Sequence, residues 1–297
     1  MPARTLAPGQ RCEIRVFDVV SGTDTCVYTT RERLLEAPNW TLAGDALILN
    51  GDDLLWRFDL AQGRLTQIAY EGLPPINNDH VLDPDGVHIF LSANGDGQIY
   101  RAPLAGGQAT CVTGASSPAG MVHFLHGVSP DGRELAFVGV IVDENDPNRR
   151  FLSAEICTVA SDGNGFRQLT TSGHPADGPE YSPNGAWLYF NTEAFSGHAQ
   201  IARMRPDGSG AERLTHSDTV DWFPHLAPDG NRAVYLAYPP GTKGHPADKP
   251  VALHLVEGGR WEAAKPVARF TGGQGTINVN SWGPDSTRFA YVAYPSS

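Results

Sequence analysis

Long apolar runs are missing from this 297-residue chain, and so are runs of basic charge. No stretch nears the roughly 20 apolar residues that a bilayer-spanning helix needs, so no membrane insertion is expected. No run of Lys or Arg exceeds Arg149-Arg150, and 22 basic against 33 acidic residues leave a formal net charge of −11. That balance argues against a general nucleic-acid binder, which requires a basic surface. Cysteine is scarce. Cys12, Cys26, Cys111 and Cys157 show no CxxC spacing and no adjacent histidine, which speaks against a zinc site or a disulfide framework and predicts reduced thiols carried in strands. The first ten residues have no apolar segment and no cleavage site of the secretory kind, so a cytoplasmic location is expected, or a periplasmic one if a signal has been removed. A G-x-S-x-G elbow, a P-loop and a strand-borne G-x-G-x-x-G are also lacking.

Turn-forming residues, by contrast, are plentiful, with 33 Gly and 23 Pro. Many of them fall into one tetrapeptide: Asp83-Pro84-Asp85-Gly86, Ser129-Pro130-Asp131-Gly132, Ser182-Pro183-Asn184-Gly185 and Ala227-Pro228-Asp229-Gly230, with a worn copy at Gly283-Pro284-Asp285-Ser286. Pro presets φ, Asp or Asn bonds the local backbone, and Gly accepts φ > 0, so each copy predicts a tight turn. The prolines are 46, 53, 45 and 56 residues apart, a period typical of propeller arrays. Aligned on the turn, each repeat reads as four strands, A to D. Strand B follows the turn, as in Glu134-Leu135-Ala136-Phe137-Val138 or Ala186-Trp187-Leu188-Tyr189-Phe190. A second Gly-rich turn separates C from D, as in Pro206-Asp207-Gly208-Ser209-Gly210.

A degenerate first copy has its turn at Leu42-Ala43-Gly44, which brings the strand A/strand B pairs to six. The last copy stops after strand B, at Phe289–Tyr294, while Glu13–Phe17 and Cys26–Thr29 read as an unattached C–D hairpin. The expected fold is therefore all-β, a closed six-bladed propeller of four-stranded antiparallel blades whose last blade is completed by the N-terminal hairpin. Closure of this kind removes the edges that an open array would expose. The expected blades are 37–70, 78–113, 123–170, 177–215, 221–270, and 278–294 plus 12–30, all in one domain.

The stretch from Asp177-Gly178-Pro179-Glu180-Tyr181-Ser182-Pro183-Asn184-Gly185 to Glu212-Arg213-Leu214-Thr215 resembles the TolB-type β-propeller repeat, with further copies at Asp221-Trp222-Phe223-Pro224-His225 and Asn280-Ser281-Trp282-Gly283-Pro284-Asp285-Ser286. The resemblance covers nearly the whole chain and implies a six-bladed propeller. TolB itself is periplasmic, carries an additional N-terminal α/β domain and binds a lipoprotein through its propeller; the chain is expected to lack that domain.

In such a blade the A–B and C–D turns share one face, and the B–C and D–A connections share the other. Here the first set is uniformly short, whereas the second varies and includes the acidic loop around Asp143-Glu144-Asn145-Asp146 and the segment from Tyr238 to Pro250. Binding concentrates in loops on rigid scaffolds, so a site is expected on the second face, at the mouth of the central channel. Counting back from each turn places His80, His126, Glu180, His225 and Asn280 within one residue of the same level, with Asp177 and Asp221 further out. These seven are the candidate ligand-binding residues, and His80, His126, Glu180 and His225 are the candidate metal ligands, since imidazole and carboxylate suit a divalent ion. Successive strand residues point to opposite faces, so the set need not converge, and strand histidines commonly just bond a neighbouring carbonyl. Asp143–Asp146 lacks the EF-hand spacing and reads as a solvated loop. Arg149 and Arg150 either lie solvated or meet an anionic ligand at the rim. Trp222 and Phe223 read as packing between blades or as a surface that stacks on a sugar.

Two functions follow. The leading one is a non-enzymatic propeller that binds a peptide, a protein or a small polar ligand at the channel mouth, without a cofactor. The other is a carbohydrate-active enzyme resembling oligogalacturonate lyases or lactonases, with Mn, Zn or Ca at the same mouth. No catalytic residue can be assigned from the sequence.

Overall fold

A computed structural model describes residues 4–114, 117–143, 145–146 and 151–296. The acidic loop is thus described only in part, without Glu144, and Arg149 and Arg150 lie outside the described residues. Among the described residues no helix is long and apolar enough to cross a membrane.

The backbone forms six antiparallel sheets in sequence order, plus a short parallel pair of Tyr70–Glu71 with Gly107–Gln108. Blade 1 comprises Glu36–Trp40, Ala46–Gly51, Leu54–Asp59 and Arg64–Ile68; blade 2 comprises Ile76–Leu82, His88–Ala93, Ile99–Pro103 and Thr110–Cys111. Blade 3 runs from Met121–Val128 through Glu134–Val142 and Phe151–Ala160 to Arg167–Gln168. Blade 4 holds Ala176–Tyr181, Leu188–Thr192, Gln200–Met204 and Glu212–Arg213, and blade 5 holds Val220–Leu226, Arg232–Tyr238, Lys249–Glu257 and Lys265–Gly272. Blade 6 joins the two ends of the chain. Arg288–Ala293 pairs with Cys12–Asp18 from Glu13↔Ala293 to Asp18↔Arg288, and Thr23–Thr30 is the outer strand. Its innermost segment is irregular, held by the Trp282↔Phe289 bridge and by the Ala290 and Val292 amides, which donate to the Ser281 and Thr276 carbonyls, so five blades have four strands and the sixth has three.

The repeated turns all close alike. The amide of Gly44, Gly86, Gly132, Gly185 or Gly230 donates to the carbonyl three residues earlier, at 2.8–3.0 Å. In the worn copy Ser286 takes the glycine position at φ 59°, a conformation in which a non-glycine residue is uncommon.

Alternation within the B strands explains the ring. Leu135 and Phe137 point into a cluster shared with Phe90 and Ile99 of blade 2, whereas Ala136, Val138 and Val140 enter one shared with Leu188 and Phe190 of blade 4. With both faces buried, such a strand is apolar throughout instead of alternating. Every pair of neighbouring blades has a cluster of this kind, blades 6 and 1 included, where Ile14, Ala290 and Val292 meet Leu47, Leu49 and Phe58. The ring has no open seam.

All four cysteines are free and lie in strands; Cys12 and Cys157 are buried, while Cys26 and Cys111 are exposed. Burial pushes the Cys12 and Cys157 thiols up to about 12, where few thiolates form near neutrality. The native protein is expected to release two equivalents with a thiol-exchange reagent at pH 8 and four after denaturation. A third fast-reacting thiol would show that a core cluster opens.

Candidate functional site

Inner strands direct the side chains of the mouth, and each carries a register shift at the same height. The shifts fall between Glu36 and Asn39, Ile76 and His80, Leu125 and Gly127, Asp177 and Glu180, and Trp222 and His225. A bulge adds a residue to one strand and re-aims the side chains around it. Three of the bulges contain an X-Pro step whose first residue has positive φ: Ala37 at 52°, Gly178 at 63° and Phe223 at 55°. Glu36, Ile76, Asp177 and Trp222, where the shifts begin, and Asp79 and His126 within them border the mouth, whereas Asn39, His80, Glu180 and His225 beyond them do not.

The expected ring of polar residues is therefore divided. Glu180, His225 and Asn280 lie beneath the mouth as a closed latch joining blades 4, 5 and 6. His225 Nδ1 is 2.6 Å from Glu180 Oε2, and its Nε2 is 2.6 Å from the Ile277 carbonyl. Glu180 Oε1 accepts from the Leu226 amide and from Asn280 Nδ2, both at 2.8 Å. Asp221 is fully buried and accepts from the hydroxyls of Ser217 and Thr219, pegging the blade 4–5 connection. His80 is also fully buried, neither of its ring nitrogens has a hydrogen-bond partner, and burial lowers it to about 3. None of these five lines the mouth. Nor do His80, His126, Glu180 and His225 gather as metal ligands. Among the described residues the only such group is Asp83, Asp85 and His88. That group sits at an A–B turn, and the Arg101 guanidinium already contacts Asp83 at 2.8 Å and Asp85 at 2.7 Å.

His126 and Asp177 do reach the mouth. They border a cavity of about 680 Å³ walled by B–C and D–A connections, with Phe124, Phe151, Leu152, Trp222, Phe223 and Pro246 as its apolar surface. Glu36, Asp79 and Asp177 lie toward its floor; Asp52, Asp53, Glu155 and Glu193 complete seven carboxylates, against Arg4 and three histidines among the described lining residues. Asp52 pairs with Arg33 at 2.5 Å, and Arg4 with Glu36 at 2.7 Å.

The centre of the floor is a charge cluster. His126 Nδ1 donates to the Asn278 carbonyl at 2.9 Å, leaving Nε2 at 3.3 Å from Asp177 Oδ1 and 3.7 Å from Asp79 Oδ1. Burial would lower His126, but Asp79 and Asp177 outweigh it and lift it to about 9. Burial raises Asp79 to about 7 despite His126, whereas Asp177, although burial opposes this, is held low by His126. Asp79 Oδ1 and Asn50 Oδ1 are buried acceptors with no hydrogen-bond donor. Asn50 gives its amide nitrogen to Glu36 at 3.1 Å, which identifies the oxygen as the unused atom.

Sequence reasoning missed Asp79, Asn50, Glu36, Arg4, His245 and Gln274 at this mouth. His245 arrives on the long B–C connection of blade 5, and its ring lies 4.4 Å from that of Trp222 and 5.3 Å from that of Phe223. His126 stacks on the same Phe223 at 5.6 Å. The length and variability of that connection were the available signal.

No family model matches the chain. An uncharacterized protein of Agrobacterium fabrum is 36% identical over 96% of this chain and 92% of its own length. A solved structure from Agrobacterium tumefaciens, described as a candidate TolB, superposes with a TM-score of 0.85 at 34% identity, over 97% of this chain and 99% of that one. A TolB homolog of Chlorobium luteolum is 29% identical over 51% of this chain and 32% of its own length. An oligogalacturonate lyase in complex with manganese shares the fold, with a TM-score of 0.55 at 15% identity over 90% of this chain and 72% of that one.

Proposed function

The chain belongs to the TolB-like six-bladed propeller family, and from that premise we propose that it is a non-enzymatic binding protein, whose ligand is a small polar molecule or the end of a peptide held in the channel-mouth cavity. The observation that carries this reading is the cavity itself, a concave apolar surface over a floor with unused buried acceptors, Asp79 Oδ1 and Asn50 Oδ1. Ligand sites combine these two features, and an unmet buried acceptor costs about 1–3 kcal/mol until a donor arrives.

The lyase-like alternative has less support. An oligogalacturonate is a polyanion, and seven carboxylates with one arginine make this lining a poor surface for it; like charges at close range repel. The four histidine and glutamate candidates also supply no joint ligand set.

Ala247 lies on the blade 5 connection and borders the cavity, so Ala247→Trp blocks the mouth without entering a blade core. Native mass spectrometry of the purified chain, followed by a thermal-shift screen of small polar compounds and short peptides, should yield a one-to-one ligand that this variant no longer holds. A ligand bound equally well by Ala247→Trp would move the site away from the mouth. No ligand from either measurement would sink the binding reading.

A further inference from the structure

One side of the mouth can be assigned atom by atom. The Gly275 amide donates to Asn278 Oδ1 at 2.8 Å, so Asn278 Nδ2 is the donor toward Gln274 at 3.3 Å. The Gln274 atom there is thus its oxygen, Oε1, and its nitrogen donates to Asn78 Oδ1 at 3.2 Å. His245 Nδ1 contacts that same Oε1 and must donate to it. Burial lowers His245 despite Asp177, which favours the neutral ring, and in that form Nε2 presents a lone pair. That lone pair faces Asp177 Oδ2 at 3.8 Å. Two acceptors cannot bond each other, and the gap between them suits a shared donor.

Asp177 has an oxygen free to fill this role. Its Oδ1 accepts from the Gly178 amide at 2.7 Å and faces His126, whereas Oδ2 has no donor among the described residues. The side chain keeps 19% of its surface open, so Oδ2 can be reached from the cavity. Beside it Asp79, which also borders the cavity, has an Oδ1 without a hydrogen-bond donor. His245 Nε2 and Asp177 Oδ2 thus face each other beside the rings of Trp222 and Phe223, and Asp79 lines the same cavity.

We infer that this is a seat for a primary ammonium group, which donates to Asp177 Oδ2 and to His245 Nε2 with Asp79 beside it, while Trp222, Phe223 and Phe124 receive the apolar part of the same molecule. An ammonium offers three N–H donors and no acceptor, which matches this set, and aromatic rings favour a cation close to them. A hydroxyl would offer one donor and leave the carboxylates unneutralised. The inference rests on the binding reading above and specifies its ligand class: an amine or a peptide with a free amino terminus.

The test uses the full chain and titration calorimetry with four probes: 2-phenylethylamine, spermidine, the tripeptide Phe-Gly-Gly, and its N-acetyl twin. The free-amino tripeptide should bind at least about 10-fold more tightly than its twin, the scale of a charge-assisted hydrogen bond. Asp177→Asn should remove that difference while still melting cooperatively. Preference for 2-phenylethylamine or for the tripeptide tells a free amine from a chain terminus. For 2-phenylethylamine, which stays charged, affinity should also rise with pH between 6 and 8, since Asp79 ionises at about 7; the tripeptide's α-amino group titrates at about 8 and should blunt that rise. The groups that set this slope are those facing Asp79, namely His126, Asp177, Glu36 and Asn278, and Asp79→Asn should flatten it. Equal binding of the acetylated twin would overturn the inference, as would Mn²⁺ or Zn²⁺ alone occupying the seat and excluding the amines. If a neutral or anionic ligand is found that Ala247→Trp excludes, only the ammonium inference falls. If nothing is held at the mouth, the binding reading falls as well.

Discussion

Deletion of residues 1–33 is expected to abolish cooperative unfolding and to leave an aggregating chain. Arg288–Ala293 would lose its whole register with Cys12–Asp18, turning an interior strand into an open edge, a template for pairing with other chains. The cluster between blades 6 and 1 would lose Cys12 and Ile14, and Phe289 would lose the ring of Phe17, stacked at 5.3 Å. Size-exclusion chromatography and a circular-dichroism melt would show both effects. The control is a circular permutant. The Arg11 amide donates to the Pro295 carbonyl at 3.0 Å, so a short linker can join residue 296 to residue 11, with new termini opened at the exposed turn of Gly165. That permutant should fold, because every strand pair survives. A soluble, cooperatively melting deletion would mean that the hairpin is an appendage and not part of the ring.

The second large effect is expected at His225. His225→Ala leaves the Glu180 carboxylate buried without its imidazole and takes the donor from the Ile277 carbonyl. Breaking one side of a buried pair costs about 3–5 kcal/mol, or a fall in melting temperature on the order of 10 °C for a chain of this size. The double variant Glu180→Ala/His225→Ala should lose less than the two single losses added together, because the stranded charge is then absent. Ligand affinity at the mouth should hardly change, since neither residue borders the cavity. If His225→Ala cost under 1 kcal/mol yet abolished binding, the division between latch and mouth would be wrong.

That division marks where the sequence stopped being legible. The turns were readable because Pro-Asp-Gly encodes its own geometry, and the six blades and the terminal hairpin follow from spacing alone. The facing of His126 against His225 was not readable by counting from the turn, since four inner strands gain one residue at the bulge and that of blade 2 gains two, and His126 falls within its bulge whereas His225 lies beyond its own. A local trace existed in Ala37-Pro38, Gly178-Pro179 and Phe223-Pro224. A residue before proline normally favours extended backbone, and positive φ at Ala37 and Phe223 is a state that no propensity scale selects. Asp79 and Asn50 look ordinary in sequence. Only the packing shows that each has an oxygen with nothing to bond.

The seam in blade 6 also sets a timetable. A ribosome delivers Cys12–Thr30 long before its partner, Arg288–Ala293, with blades 1 to 5 in between. At 5–20 residues per second the hairpin waits roughly 15–50 s for the strand it must clasp. Blades 1 to 5 can form in turn behind it, but Gln274 and Asn278, on which the mouth depends, emerge only after the last strand of blade 5. The nascent chain is therefore a sticky open arc until Arg288–Ala293 emerges, and the closed ring and a working mouth appear together.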